Sequence, residues 1–337
     1  MHRIARLPAE ERRDIFSEAA ATLGIRPTII EKDFWVCFVL KALFEKSRFG
    51  EFLVFKGGTS LSKAHGLIER FSEDIDLVLD WKLIGFGDGL EDPMQNFDSK
   101  SKQDKFNKAM NRRAAEFIAK TLAPELHALL REEGIGLSCA VDEDDPHVIN
   151  VQYPAAFSEA YIRPEVLLEI GPLAAWVPSS RHTIRPYAHD ALPDVFEEPA
   201  CEVVTIAAER TFWEKATILH QEAHRSTVIP QRCSRHYYDL YSLSVSSLKK
   251  SALAQASLLE EVVAFKKRFY PSAWARYDLA VPGSFRLLPL TEKQTAALAR
   301  DYQNMQVMLF GRPPDFISIL DELRSLESEI NSIGRKN

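Results

Sequence analysis

The chain has 337 residues, 46% of them apolar and 27% charged, with a net charge of −6 and a pI near 5.9. These values describe an ordinary globular protein long enough for two domains, and they argue against a surface that binds nucleic acid throughout, though not against a local basic face. No apolar run approaches the roughly 20 residues of a membrane span, and the opening MHRIARLPAEERRD lacks the apolar core of a signal peptide, so the expectation is a cytoplasmic protein without a membrane partner.

Two helices are predicted in the first fifty residues. One runs from Pro8 to about Ala21, and a second is opened by Thr28, with Glu31 at capping-box spacing, and continues through DFWVCFVLKALF. The second is apolar almost all round and should be buried. EFLVFK and DIDLVLD are strand-like, with a short helix in TSLSKAHGLI between them. The following GFGDGLEDPMQNFDSKSK is long enough for a lid or a partner-binding loop. A basic helix is predicted from about Asp104 to Glu132. Between Phe97 and Thr121, seven cations (Lys100, Lys102, Lys105, Lys108, Arg112, Arg113, Lys120) stand against the acids Asp98, Asp104 and Glu116. Both a solvated helix face and a docking surface for an anionic acceptor fit that pattern.

GLSCAV, HVINVQY and EVLLEIG are three further strand candidates, and HTIRPY and EVVTI add short ones. From Ala207 the pattern is helical, at about 206–224, 234–247, 255–269, 291–309 and 315–332, with prolines marking the breaks. Strands followed by helices give an α+β fold: a mixed-sheet first domain over 1–195 and a helical second domain over 196–337, divided near the polar DALPDVFEEPA. The four cysteines, Cys37, Cys139, Cys201 and Cys233, form no CxxC pair and read as buried thiols.

The chemistry concentrates around FKGGTSLSKAHGLIERFSEDIDLVL. Asp74 and Asp76, two apart on a strand, leave the same face while Ile75 and Leu77 face the core. Such a pair is either a solvated strand face or a site for a divalent cation, because two close carboxylates repel unless something neutralises them. Gly57 and Gly58 permit close backbone approach, and Thr59 and Ser60 open a helix whose N–H groups favour phosphate, with Lys56 and Lys63 flanking the turn. Glu169 interrupts the apolar strand Val166–Ile170; it either ends a strand near the surface or supplies the third carboxylate that two-metal chemistry usually needs. In AAERTFWEKATILHQEAHR, the residues Ala208, Phe212, Ala216, Leu219 and Ala223 form one apolar stripe. Lys215 lies at its edge, whereas Arg210 and Glu214 point to the far side. Lys215 is either a snorkelling lysine or a group reaching nucleotide phosphates. Asp239 pairs with Arg235 or with Lys215, or orients the site. His220 and His224 lack the following glutamate of a zinc protease helix, and no P-loop is present.

Taken together, KGGTSLSK, RFSEDIDL, RPEVLLEIG, ERTFWEKATILH and RHYYDLYSL resemble the AbiEii/AbiGii-toxin-type nucleotidyltransferases, a branch of the DNA polymerase β-like superfamily that includes toxins of toxin–antitoxin systems. The resemblance covers roughly residues 28–245. It implies a polymerase β-like mixed sheet with flanking helices, followed by a helical domain that contributes Lys215 and Asp239. It further implies that Gly57, Gly58, Thr59 and Ser60 cradle the phosphates of an NTP, that Asp74 and Asp76 hold Mg2+ or Mn2+, and that Glu169 takes the position where many relatives carry Asp. Relatives of this kind transfer a nucleotide, some of them to the 3′ end of tRNA, and are commonly encoded beside an antitoxin. The expected catalytic set is Asp74, Asp76, Glu169, Lys215 and Asp239, and the nucleotide-binding set adds Lys56. Nucleotide transfer to a protein hydroxyl, γ-phosphate transfer, and a nucleotide-sensing or partner-binding module without chemistry are the rival functions.

Overall fold

A computed structural model describes all residues except Asp88, Ala160, Tyr161 and Arg335 to Asn337. In it the chain forms two compact units, one of residues 1–64 and 71–206, the other of residues 65–70 and 207–337.

The first unit is built on a seven-stranded sheet. Helices α1 (His2–Ala5), α2 (Ala9–Leu23) and α3 (Pro27–Lys41) precede strand β1 (Leu53–Lys56), which runs directly into α4 (Gly57–Lys63). Then come β2 (Asp74–Leu79), α5 (Lys100–Phe117), α6 (Ala123–Glu132), β3 (Ser138–Val141), β4 (Val148–Gln152), β5 (Glu165–Gly171), β6 (Ser179–Ile184), α7 (Tyr187–Ala191) and β7 (Cys201–Ile206). The strand order is β3-β4-β5-β2-β1-β7-β6. The β2/β5 and β1/β7 pairs are parallel and the others antiparallel, so the sheet is mixed, as the sequence pattern predicts. Because β7 pairs with β1 and β6, it stays with the first unit, and the units part after Ile206, beyond the polar 190–200 stretch.

Helix α3 packs on β5 and β7 and is buried along almost its whole length, as its all-round apolar sequence requires. The capping box expected at Thr28 does not form. Pro27 occupies the first turn, the Thr28 hydroxyl is buried without a partner, and Glu31 instead accepts from the backbone N–H groups of Ala156 (2.7 Å) and Phe157 (3.1 Å). The next two residues are also buried charges with fixed partners: Lys32 donates to Glu73 at 2.9 Å, and Asp33 pairs with Lys63 at 2.8 Å and accepts from Tyr187 N–H at 2.6 Å. Three consecutive charges on one buried helix thereby fasten four separate segments, one of them the residue before Asp74.

The loop after β2 is pinned rather than loose at its ends. Phe86 and Phe97 both pack against Phe106 of α5, with ring centroids 5.2 and 5.0 Å away, and the Arg113 guanidinium lies 4.5 Å over the Phe86 ring. The GFGDG stretch within this loop includes Asp88, which lies outside the described residues.

The second unit is helical: α8 (Ala208–Ala223), α9 (Ser234–Val245), α10 (Leu248–Ala254), α11 (Ser257–Phe269), α12 (Glu292–Met305) and α13 (Phe316–Asn331). Helix α8 packs against α9, α10 and α11, and α9 also against α12 and α13. Being enclosed on several sides corrects the reading of α8 as a helix with one apolar stripe: Arg210 is not on a solvent face but 3% exposed, held by Glu214 and by Glu261 of α11, each at 3.4 Å. His220 is fully buried and structural; Arg286 N–H donates to its Nδ1 (3.1 Å) and its Nε2 hydrogen-bonds the Arg276 carbonyl (3.0 Å). Residues 65–70 join this unit through an Arg70–Leu309 bridge and the Phe310 N–H donating to the Glu69 carbonyl at 2.9 Å. Among the described residues no helix is long and apolar enough to cross a membrane.

Candidate active site

Strand β2 alternates as its sequence dictates. Ile75 and Leu77 are fully buried, while Asp74 and Asp76 lie half-buried on the opposite face. The register then assembles a row across three strands. On β1, Lys56 stands opposite Asp76, and on β5 Glu169 stands beside Asp76. Cross-strand partners share a face, so a cation and two acids line up side by side, with Asp74 one step along the same face and beside Leu167. Glu169 is exposed while its neighbours Leu168 and Ile170 are buried, which explains how an acid tolerates this apolar strand.

The turn between β1 and α4 is shaped around Asp76. Gly57 has φ of +79°, and a Cβ placed on it would come within 1.9 Å of Asp76 Oδ2. Only glycine fits both the left-handed backbone and the carboxylate lying against it. Thr59 and Ser60 are buried, and their hydroxyls serve the fold: Thr59 Oγ1 donates to the Asp74 carbonyl at 2.5 Å and Ser60 Oγ to the Gly57 carbonyl at 2.9 Å. What this turn offers a ligand is therefore backbone N–H rather than hydroxyl groups. Lys63 does not face the turn as a spare charge. Its ammonium is buried between Asp33 and the Tyr187 ring, 3.7 Å from the centroid; burial opposes its charge, but Asp33 outweighs burial and holds Lys63 above the usual lysine range.

An all-oxygen donor set suits a hard divalent cation such as magnesium or manganese. Magnesium commonly takes one or two carboxylates and completes its shell with water and substrate phosphate, so Asp74 and Asp76 fit it, with the Asp76 cradle at Gly57 fixing one of them. Among the described residues no three His, Cys, Asp or Glu side chains are gathered as a ready-made metal cluster. Glu169 shares the face of Asp76 on the neighbouring strand.

In the second unit Lys215 and Asp239 are buried and meet at 2.7 Å between Nζ and Oδ2. The third member is Arg70, which the sequence pattern does not reveal: its Nε donates to Asp239 Oδ1 at 2.6 Å and its Nη2 to Oδ2 at 2.9 Å. Burial works against the Asp239 charge, yet Arg70 and Lys215 hold its carboxyl well below the usual range. Burial, with Arg70, lowers Lys215 against the opposing pull of Asp239. His236 Nδ1 lies 3.4 Å from Lys215 Nζ, and burial followed by Lys215 and Arg235 pushes its imidazole well below the ordinary value, so it is neutral.

The mixed sheet with its carboxylate row and glycine turn, followed by helices, is a nucleotidyltransferase fold. It is similar to that of MenT4, a nucleotidyltransferase toxin from Mycobacterium tuberculosis H37Rv, with a TM-score of 0.50 at 18% identity over 94% of this chain and 89% of that one. The family model described as nucleotidyl transferase AbiEii toxin, type IV TA system, matches residues 39–325. The chain therefore belongs to the AbiEii family of nucleotidyltransferase toxins of type IV toxin–antitoxin systems. Comparison with curated protein sequences gives no match.

Proposed function

We propose that this chain transfers a nucleotide from an NTP to the 3′ end of tRNA, with a divalent cation, as the toxin of a pair whose other member is a cognate antitoxin protein. The observation that supports this most is the Asp76 carboxylate lying against Gly57, which joins the carboxylate row to a glycine turn of the kind that approaches phosphates.

In the reaction, the acceptor hydroxyl oxygen bonds to the α-phosphorus, the bond from that phosphorus to the bridging oxygen breaks, and pyrophosphate leaves. The hydroxyl proton passes to a carboxylate of the row or to water. Magnesium held by Asp74 and Asp76, with Glu169 beside them, would offset charge on the transferring phosphoryl group. Asp76 is fixed by the cradle at Gly57, and the backbone N–H groups from Gly57 to Ser60 bind phosphate oxygens. Lys215 takes polyphosphate as a point charge, oriented by Asp239. The seven exposed cations of 100–120, on α5 and the turn after it, dock the RNA by its phosphates.

The test is to incubate the protein with total tRNA, magnesium and each α-labelled NTP in turn, beside Asp74→Ala and Asp76→Ala variants. Label on RNA that disappears in both variants is expected; full activity in either variant would end this mechanism. Label on protein alone would move the acceptor to a side-chain hydroxyl.

A further inference from the structure

The group around Asp239 holds more positive than negative charge. Arg70 and Lys215 bring two cations to one carboxylate, His236 is neutral, and Arg235 adds a nearby positive field. Arg70 is 5% exposed and Lys215 7%, so water does little to dilute this excess. A buried Lys–Asp pair left alone would neutralise itself and give an anion little reason to approach. Here the guanidinium fork engages both carboxylate oxygens, the bidentate geometry that only arginine provides. Asp239 and His236 take two of the three Lys215 N–H donors; the third has no acceptor among the described residues.

We propose that Arg70 is a positioning residue for Lys215: by gripping both oxygens of Asp239 it fixes that carboxylate and takes up its charge, leaving the lysine ammonium for a polyphosphate anion. The proposal rests on the assignment of Lys215 as the phosphate-binding lysine. It gives a purpose to the 65–70 segment, which belongs to the second unit although the chain on either side belongs to the first, and which is tied there next to Arg70 by the Glu69–Phe310 hydrogen bond. Arg70 acts through Asp239 and forms no bond with the reacting atoms in this account.

Binding of inorganic tripolyphosphate, measured by calorimetry, separates this role from a structural one and requires no turnover. Wild type is expected to bind it at least about tenfold more tightly than Lys215→Met and than Arg70→Met. In Arg70→Met/Lys215→Met, affinity is expected to equal that of Lys215→Met, because Arg70 acts only through the lysine. A residue that merely props up the fold predicts additive losses, a double variant weaker than Lys215→Met. That result, wild-type affinity in Arg70→Met, or no difference between wild type and Lys215→Met would each overturn the proposal. Should Arg70→Met not fold, Arg70→Lys is measured by turnover: it keeps the charge and loses the fork, so kcat falls about tenfold while tripolyphosphate affinity stays within about threefold. An unchanged kcat in Arg70→Lys would overturn the proposal. Tripolyphosphate binding that follows the expected order in a protein that releases no pyrophosphate from any NTP would end nucleotidyl transfer as the function and leave the role of Arg70 standing.

Discussion

Asp76 Oδ2 lies where a side chain on Gly57 would have to go: a Cβ at that position would sit 1.9 Å from it. The carboxylate and the turn are thus one unit, and Gly57→Ala tests them together. Its φ of +79° makes any L side chain strained, at a cost of about 1–2 kcal/mol, and the added methyl must also displace Asp76. Pyrophosphate release is expected to fall by about 100-fold or more, a larger effect than the modest drop in melting temperature.

Thr59 supports the same strand from beneath, its hydroxyl donating to the Asp74 carbonyl. Thr59→Val keeps the shape and removes the donor, leaving the part-buried Asp74 carbonyl short of one partner. Urea unfolding should show a loss of about 1–3 kcal/mol, and Thr59→Ser should retain both stability and activity.

The Asp33–Lys63 pair, each side chain 3% exposed, predicts a purely structural phenotype. Asp33→Asn strands the lysine ammonium in the interior and should cost about 3–5 kcal/mol in chemical denaturation. Activity per folded molecule should change far less than in Asp76→Ala, because the pair lies outside the carboxylate row.

Acid sensitivity has an identifiable source. Burial first, and His224 to a smaller extent, push His220 from 6.5 down to about 4. A base whose pKa is depressed on folding contributes stability that is fully present above pH 6.5 and is lost as pH falls from 6.5 through about 4, amounting to about 3 kcal/mol. Unfolding measured at pH 7, 5.5 and 4.5 should show this decline, and His220→Gln, less stable at pH 7, should show a flatter one.

If RNA is the acceptor, its binding should weaken steeply with salt. Lys105→Glu/Lys108→Glu should lower affinity and reduce the slope of log K against log salt by about 0.7 for each phosphate that is no longer neutralised, without changing tripolyphosphate binding.

Much of this was readable from the chain because its signals are local. Alternation exposes Asp74 and Asp76 while burying Ile75 and Leu77, an acid inside VLLEIG marks Glu169, and prolines and periodicity bound the later helices. What was not readable depends on contacts distant in sequence. Arg70 is 169 residues from Asp239, and nothing in the spacing of a lone arginine before a strand points to α9. Arg210 reads as exposed from the sequence because one stripe on a helix wheel does not reveal that a second helix covers the opposite side. Lys63 reads as available to a phosphate because its partner, Asp33, lies on a helix thirty residues earlier.

The most direct measurement follows two labels on one NTP with the intact chain, magnesium and tRNA. Nucleotidyl transfer predicts the α-label on the RNA and the γ-label in released pyrophosphate, both lost in Asp76→Ala. A γ-label on the acceptor, or neither label moving while NTP is bound, would contradict it.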